Sequence, residues 1–167
     1  MPDRLLFDFN DPSAANGWRS VDDVVMGGVS DSHLEARTDS TAAFTGTVSL
    51  DRGGGFCSIR APEGDYDLSG CAAIQLRVLG DNQRYKFTLY TRAAGRISYR
   101  FAFRVPDEWT TVTVPFDELT PFRRGRRVPD APPFDPSDIR TMGFLIGDKQ
   151  AGPFTLEIDW IKGVADA

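Results

Sequence analysis

The sequence predicts an all-β protein: a two-sheet antiparallel β-sandwich of the jelly-roll type. Three observations carry that prediction. Period-two alternation of apolar and polar residues recurs in short segments between Leu5 and Ile161, as half-buried strands require. Glycines and prolines, 16 and 11 of them, separate those segments at short intervals, which is the punctuation of turns between strands. No segment of useful length repeats apolar residues at helical spacing, so the roughly nine or ten strands must bury one another in stacked layers.

Leu5-Leu-Phe-Asp-Phe9 alternates as a first strand, with Leu5, Phe7 and Phe9 on one face and Leu6 and Asp8 on the other; Asn10-Asp-Pro-Ser ends it. His33 to Arg37 alternates weakly, and Ala42 to Leu50 reads as a strand that stops at Asp51-Arg-Gly-Gly-Gly55. Neither a helix nor Gly-Lys-Ser/Thr follows these glycines, so they make a turn and not a phosphate loop. Phe56-Cys-Ser-Ile-Arg60 is a short strand with Phe56, Ser58 and Arg60 on one face, and in Ala73 to Leu79 the apolar Ile74, Leu76 and Val78 oppose Gln75 and Arg77.

The cleanest alternation follows. Tyr85, Phe87 and Leu89 oppose Arg84, Lys86, Thr88 and Tyr90; then Ile97, Tyr99, Phe101, Phe103 and Val105 oppose Ser98, Arg100, Ala102 and Arg104. Joined by residues 91–96, these segments predict a hairpin with one buried face and one wet, basic face. Trp109 to Phe116 is another strand, with Pro115 at its end or on a sheet edge. Residues 117–138, with Arg123-Arg-Gly-Arg-Arg127 and four prolines from Pro129 onward, read as one long irregular connection. Thr141 to Gly147 and Phe154 to Ile161 supply the last strands.

At 167 residues the chain is most simply one domain, residues 1–167, large enough to bury a core without covalent staples. A net charge of −5 argues against general nucleic-acid binding. Two widely separated cysteines, Cys57 and Cys71, are expected to be reduced and unpaired. The first nine residues carry charge at Asp3 and Arg4 and no apolar h-region, and no run approaches the ~18 apolar residues of a membrane span. A cytoplasmic protein is the expectation.

One stretch mixes signals that no ordinary strand asks for: Trp18-Arg-Ser-Val-Asp-Asp-Val-Val-Met-Gly-Gly-Val-Ser30. Gly27 and Gly28 give adjacent positions free to take positive φ. Asp22 and Asp23 can close Asx turns, bind a cation or pair with an arginine. As a rim loop tying two sheets together the run is scaffold; as an exposed loop it touches a ligand.

The same run carries a resemblance, together with Phe44-Thr-Gly-Thr-Val-Ser-Leu50, Gly53-Gly-Gly-Phe-Cys-Ser-Ile-Arg60 and Gly80-Asp81 leading into Tyr85. Trp109 before Val114-Pro-Phe116, and Asp148-Lys-Gln-Ala-Gly-Pro-Phe154 before Leu156-Glu-Ile-Asp159, agree with it. Over residues 5–163, in order, the chain resembles the domain of the complex I intermediate-associated protein family, the thirty-kilodalton assembly factor of respiratory complex I. That resemblance implies a galactose-binding-like sandwich similar to carbohydrate-binding modules. It also implies an assembly-factor or chaperone role in which the domain holds a protein partner, such as a respiratory-complex subunit.

The residues themselves offer little for catalysis. His33 is the single histidine and stands beside Ser32 as a surface residue, and no Ser or Cys sits in a nucleophile motif such as Gly-x-Ser-x-Gly. No catalytic residue is assigned, and a sugar-acting enzyme built on two carboxylates ranks third among the functions. No cofactor is expected. The one metal weighed is a structural Ca²⁺: if the first and last strands pair, Asp8 approaches Glu157 or Asp159. No Asp-x-Asp-x-Asp-Gly loop supports it, and carboxylates that face arginines or solvent are preferred.

Arg77, Arg84, Lys86, Arg92, Arg96, Arg100 and Arg104 fall within 28 residues that contain one acid, Asp81. On the outer side of adjacent strands they either solubilise the sheet and protect its edge, or, with Tyr90 as a stacking surface, attract an acidic partner. Arg60 is a candidate to pair with Asp22 or Asp23. The candidate binding residues are thus Trp18, Asp22, Asp23, Met26, Gly27, Gly28, Arg60, Arg84, Lys86, Tyr90 and Arg100. For the alternative function, a jelly-roll carbohydrate-binding module, the stacking aromatics are Trp18, Tyr66, Tyr90 and Trp109, most of them expected in the core.

Overall fold

A computed structural model describes residues 3–22, 30–51 and 55–165. Two antiparallel sheets lie face to face, as the alternation predicts, and the described residues form no α-helix. The six-stranded sheet holds β3 (Asp31–Ala36), β4 (Ala42–Val48), β13 (Gly152–Val164), β6 (Ala73–Leu79) and β9 (Thr110–Pro115) in that order, with β1 (Arg4–Asp8) also on β13. The seven-stranded sheet runs β11 (Arg126–Arg127), β10 (Thr120–Arg123), β8 (Ser98–Arg104), β7 (Arg84–Thr91), β12 (Ile139–Ile146), β5 (Cys57–Arg60) and β2 (Arg19–Ser20).

β13 organises the first sheet because its 13 residues are long enough to serve two neighbours along one edge. β4 pairs with residues 152–158 and β1 with residues 160–163, while β6 lines the other edge. The changeover falls at Asp159, where the register against β6 shifts. There the Phe9 amide donates to the Asp159 carbonyl at 2.9 Å. A bulge at this point lets one strand bend and change partners without losing its ladder.

The inward faces of both sheets fill a single core. Phe44 meets Phe154 at 4.8 Å between ring centroids, Phe87 meets Phe144 at 5.2 Å, and Ile74, Leu76, Leu89, Met142, Leu156 and Ile158 close around them. Each such side chain contributes about 1.5–3 kcal/mol on leaving water, which is why the alternation in these strands is so regular. The hydroxyl of buried Tyr85 is satisfied by Asp81 at 3.0 Å, and Asp81 also accepts the Thr155 amide at 2.9 Å. A turn carboxylate therefore joins β7 of one sheet to β13 of the other.

Three expectations need correction. Leu5 does not share an inward face with Phe7 and Phe9: the register of β1 slips between Leu5 and Phe7, leaving Leu5 57% exposed. Residues 117–138 are not wholly irregular. They contain the β10–β11 hairpin, whose turn places Arg124 at φ 52° and Gly125 at φ 76°, the left-handed pair that a two-residue hairpin loop demands. Arg77 does not belong to the basic face, because β6 lies in the six-stranded sheet and β7 and β8 in the other.

Candidate functional site

The outward face of the seven-stranded sheet gathers five of the sequence-derived candidates. One cross-strand row reads Arg19, Arg60, Gly143, Thr88, Arg100, Thr120 from β2 to β10. The next row holds Ser58, Leu145, Lys86 and Ala102. On the other side Thr141 stands opposite Tyr90, and Ser98 opposite Phe122. Arg84 closes the far end opposite Arg104.

Strand spacing puts the backbones of Arg60 and Arg100 about 14 Å apart, three interstrand steps. The two positions between them hold Gly143 and Thr88, neither of which carries a long side chain, and both are buried beneath their neighbours. Gly143 has to be glycine. A Cβ there would stand 1.9 Å from the Ile59 carbonyl oxygen of β5, so backbone occupies the space a side chain needs.

The guanidinium of Arg60 lies 4.5 Å from the centroid of Tyr90, and that of Arg140 lies 5.4 Å from it. Arg100 donates from Nε to Ser98 Oγ at 2.9 Å and sits 5.0 Å from the Phe122 ring. Burial pulls the Arg100 guanidinium below its usual range, and the positive charge of Arg60 adds to this while Asp148 opposes it; it remains a cation all the same.

Other cations of the face have carboxylate partners within the chain. Lys86 meets Asp148 at 3.1 Å, and Arg140 pairs with Glu63. Arg92, in the β7–β8 loop, lies 3.8 Å from Asp65 and 3.9 Å from Asp138. No ion pair reaches Arg60 or Arg100 among the described residues. Arg84 is fixed through its backbone, where the Gln150 side chain accepts its amide at 2.8 Å and donates to its carbonyl at 2.9 Å. The Asp148-Lys-Gln segment of the family motif thus extends the β7–β12 ladder by side-chain mimicry.

The remaining candidates lie elsewhere. Trp18 packs into the aromatic cluster, 5.0 Å from Phe7, 6.0 Å from Phe9 and 6.5 Å from Phe144, with its Nε1 donating to the Ala14 carbonyl at 3.1 Å. It is half-buried and packs against the edge of the core. Asp22 is buried and does not pair with Arg60: its Oδ1 accepts the Ser58 amide of β5 at 3.0 Å and Ser32 Oγ of β3 at 2.7 Å. One carboxylate at the start of the run links both sheets at the rim, as a scaffold contact would. Asp23, Met26, Gly27 and Gly28 lie outside the described residues.

Asp8 and Asp159 do come together through the β1–β13 pairing, bridged by Asn10 Nδ2 at 2.8 Å and 3.5 Å. Glu157 is held apart by Thr41 Oγ1 at 3.2 Å. The described residues contain no group of three or more acidic, His or Cys side chains arranged to hold a metal ion. Neither Cys57 nor Cys71 forms a disulfide among the described residues, and His33 stands exposed beside Glu35.

Sequence reasoning missed Arg140 and Phe122. Arg140 falls in a register shift between Ile139 and Thr141, so alternation does not place it on either face; Phe122 lies in the segment read as irregular. Tyr90 faces outward as expected, yet it is only 6% exposed because guanidinium groups cover its ring.

Residues 7–158 match the sequence profile of complex I intermediate-associated protein 30 (CIA30). The chain belongs to the CIA30 family. It is 29% identical to the mouse (Mus musculus) protein named complex I intermediate-associated protein 30, mitochondrial, over 98% of this chain and 56% of that one. It is 30% identical to an uncharacterized protein of Schizosaccharomyces pombe, over 88% of this chain and 77% of that one. This CIA30 domain therefore spans little more than half of the mouse relative, whose name places that protein in mitochondria.

Among solved structures, the family 11 carbohydrate-binding module of Clostridium thermocellum, in complex with a mixed-linked tetrasaccharide, superposes with a TM-score of 0.70 at 16% identity. The match covers 97% of the CIA30 chain and 95% of that module. An agarase matches with a TM-score of 0.67 at 12% identity, over all of this chain and 25% of that one. At such identities the likeness is one of jelly-roll fold. No helix among the described residues is long and apolar enough to cross a membrane.

Proposed function

We propose that this CIA30 domain is a non-catalytic binding module that holds a protein partner during assembly of a respiratory membrane complex. The partner docks on the outward face of the seven-stranded sheet. The observation that carries the reading is the placement of Arg60 and Arg100, neither in an ion pair with a carboxylate of the described chain, on one rigid face of a protein that is acidic overall. Charge arranged so steers and orients a partner of opposite sign. The family supports the assembly role, since the mouse relative is named for association with a complex I intermediate.

A carbohydrate-binding function is the second reading, favoured by the likeness to family 11 modules. It needs an aromatic ring open for sugar stacking, whereas Tyr90 on this face is covered by Arg60 and Arg140. The proposal also places the protein in the cytoplasm and requires no cofactor.

Affinity capture of the tagged chain from its native cell tests the proposal, with mixed-linkage β-glucan titrated against the pure protein in parallel. A recurring protein partner and no saturable glucan response are expected. Repeated capture with no protein partner, or saturable glucan binding, overturns the assembly reading. Recovery of the protein in a sealed organelle fraction overturns the cytoplasmic part.

A further inference from the structure

We infer that Arg60 and Arg100, flanking Gly143 and Thr88 beside Tyr90, form a site for a carboxylate group carried on an acidic peptide segment of the partner. The inference rests on the protein-binding reading above and names the chemistry of its contact. Its starting point is an imbalance. Lys86 and Arg140, nearby on the same face, are each neutralised by a carboxylate of this chain, Asp148 and Glu63. Arg60 and Arg100 make no ion pair among the described residues, although Arg60 also has Arg19 directly across the ladder.

Like charges brought together on a half-buried face repel, and against this the described chain sets no carboxylate at ion-pair distance, only the Asp148 charge acting on Arg100 from farther off. The arrangement is nonetheless rigidly built. Arg60 is held over Tyr90 at 4.5 Å, Arg100 is anchored through Nε to Ser98 at 2.9 Å, and burial together with Arg60 disfavours the Arg100 charge. Guanidinium groups fixed in this way keep donors free for a planar, bidentate acceptor. Gly143 and Thr88 put no long side chain of their own between the arginines, but both are buried, so the acceptor is met by the half-buried guanidinium groups above the row and not by a gap between them.

Carboxylate is the anion that already matches the neighbouring cations of this face. A glutamate or aspartate supplied by the partner would complete the same pattern in trans. Arginines that are already fixed lose little conformational freedom on binding.

The test follows the arginine Nε–Hε signals of the ¹⁵N-labelled full chain by NMR. The probes are an end-capped Gly-Glu-Gly-Glu-Gly peptide, its Gln-for-Glu counterpart, inorganic phosphate and a galacturonic acid trimer. Saturable movement of the Arg60 and Arg100 signals with the Glu peptide alone is expected, with the dissociation constant rising about tenfold or more in Arg60→Gln and in Arg100→Gln. Each variant loses a cation–π contact, and Arg100→Gln also the Ser98 hydrogen bond, but neither loses an ion pair, so both should melt within about 3 °C of wild type.

Movement with the Gln peptide, a preference for phosphate or for the uronate trimer, or no movement at all overturns the inference. So does a melting temperature lowered by more than about 3 °C in both variants, which would make the arginines structural. Cellular capture separates the two readings. If the double variant retains the captured partner, the carboxylate site falls and the assembly role stands. If wild type captures no partner while the Glu peptide binds, the assembly role falls and the site stands.

Discussion

The Tyr85 hydroxyl donates to Asp81 at 3.0 Å from inside the core, while the same carboxylate accepts the Thr155 amide at 2.9 Å from the opposite sheet. Gln83 adds two further donations, from its amide at 3.4 Å and its Nε2 at 2.7 Å. Burial, reinforced by the Asp81 charge, keeps the Tyr85 phenol protonated well above the usual tyrosine range, so it is always the donor.

Tyr85→Phe removes one charge-assisted hydrogen bond and leaves Asp81 with its other donors. The expected cost is about 1.5–3 kcal/mol. Urea unfolding should show a lower midpoint at unchanged slope, because the surface exposed on unfolding stays the same. An unchanged midpoint would mean that the Asp81 link does not hold the sheets together.

Gly143→Ala tests the floor of the arginine row. The new methyl group would meet the Ile59 carbonyl at 1.9 Å, and that carbonyl belongs to a paired strand that cannot rotate away. Overpacking against backbone costs about 1–3 kcal/mol or more. We expect a loss of thermal stability together with displaced amide signals in β5, read by NMR as shifts centred on Ser58 to Arg60.

Trp18→Ala separates core from contact. Trp18 packs on Phe7, Phe9 and Phe144 but is only half-buried, and deleting a fully buried aromatic costs about 3–5 kcal/mol. Stability measured by urea unfolding should fall, by less than that full amount. A loss of glucan binding at unchanged stability would instead return Trp18 to the surface role weighed from sequence.

How much of this was legible in the sequence depended on whether alternation was unbroken. Tyr85 to Tyr90 and Ile97 to Val105 keep strict period two, and their hairpin and its basic face follow from it. Alternation fails wherever the register slips. Leu5 is turned outward by the irregularity in β1, and Arg140 enters the face through the one in β12. The β10–β11 hairpin was hidden because its turn is Arg124-Gly125 rather than Asn-Gly, so a positive φ at an arginine carried no compositional signal. Charge sums were equally blind to topology: Arg77 counts with the basic run but lies on the other sheet, and Arg60, remote in sequence, joins it through β5. Pairing between Arg60 and an aspartate was chemically reasonable, but Asp22 accepts from the Ser58 amide and the Ser32 hydroxyl instead, and Asp23 lies outside the described residues.

Asp159 gives a pH-dependent prediction and bears on calcium at once. Burial raises its carboxyl above the ordinary aspartate range, the neighbouring Asp8 charge adds to this, and Arg77 opposes it. A carboxyl whose folded value exceeds its unfolded value binds its proton more tightly in the native state, so its ionisation costs stability as pH rises through that interval. Asp159→Asn removes the cost. The variant should melt higher at pH 7, by no more than about 2 °C for a partly exposed group, and the gain should vanish below about pH 3.5, where aspartate is protonated in both states. Asp8 and Asp159 share only the Asn10 amide, and Glu157 is engaged with Thr41. Millimolar Ca²⁺ or a chelator should therefore leave the wild-type melting temperature unchanged. A calcium-dependent rise that disappears in Asp159→Asn would instead make this pair a metal site, because a bound cation would hold both carboxylates ionised and reverse the sign of the pH effect.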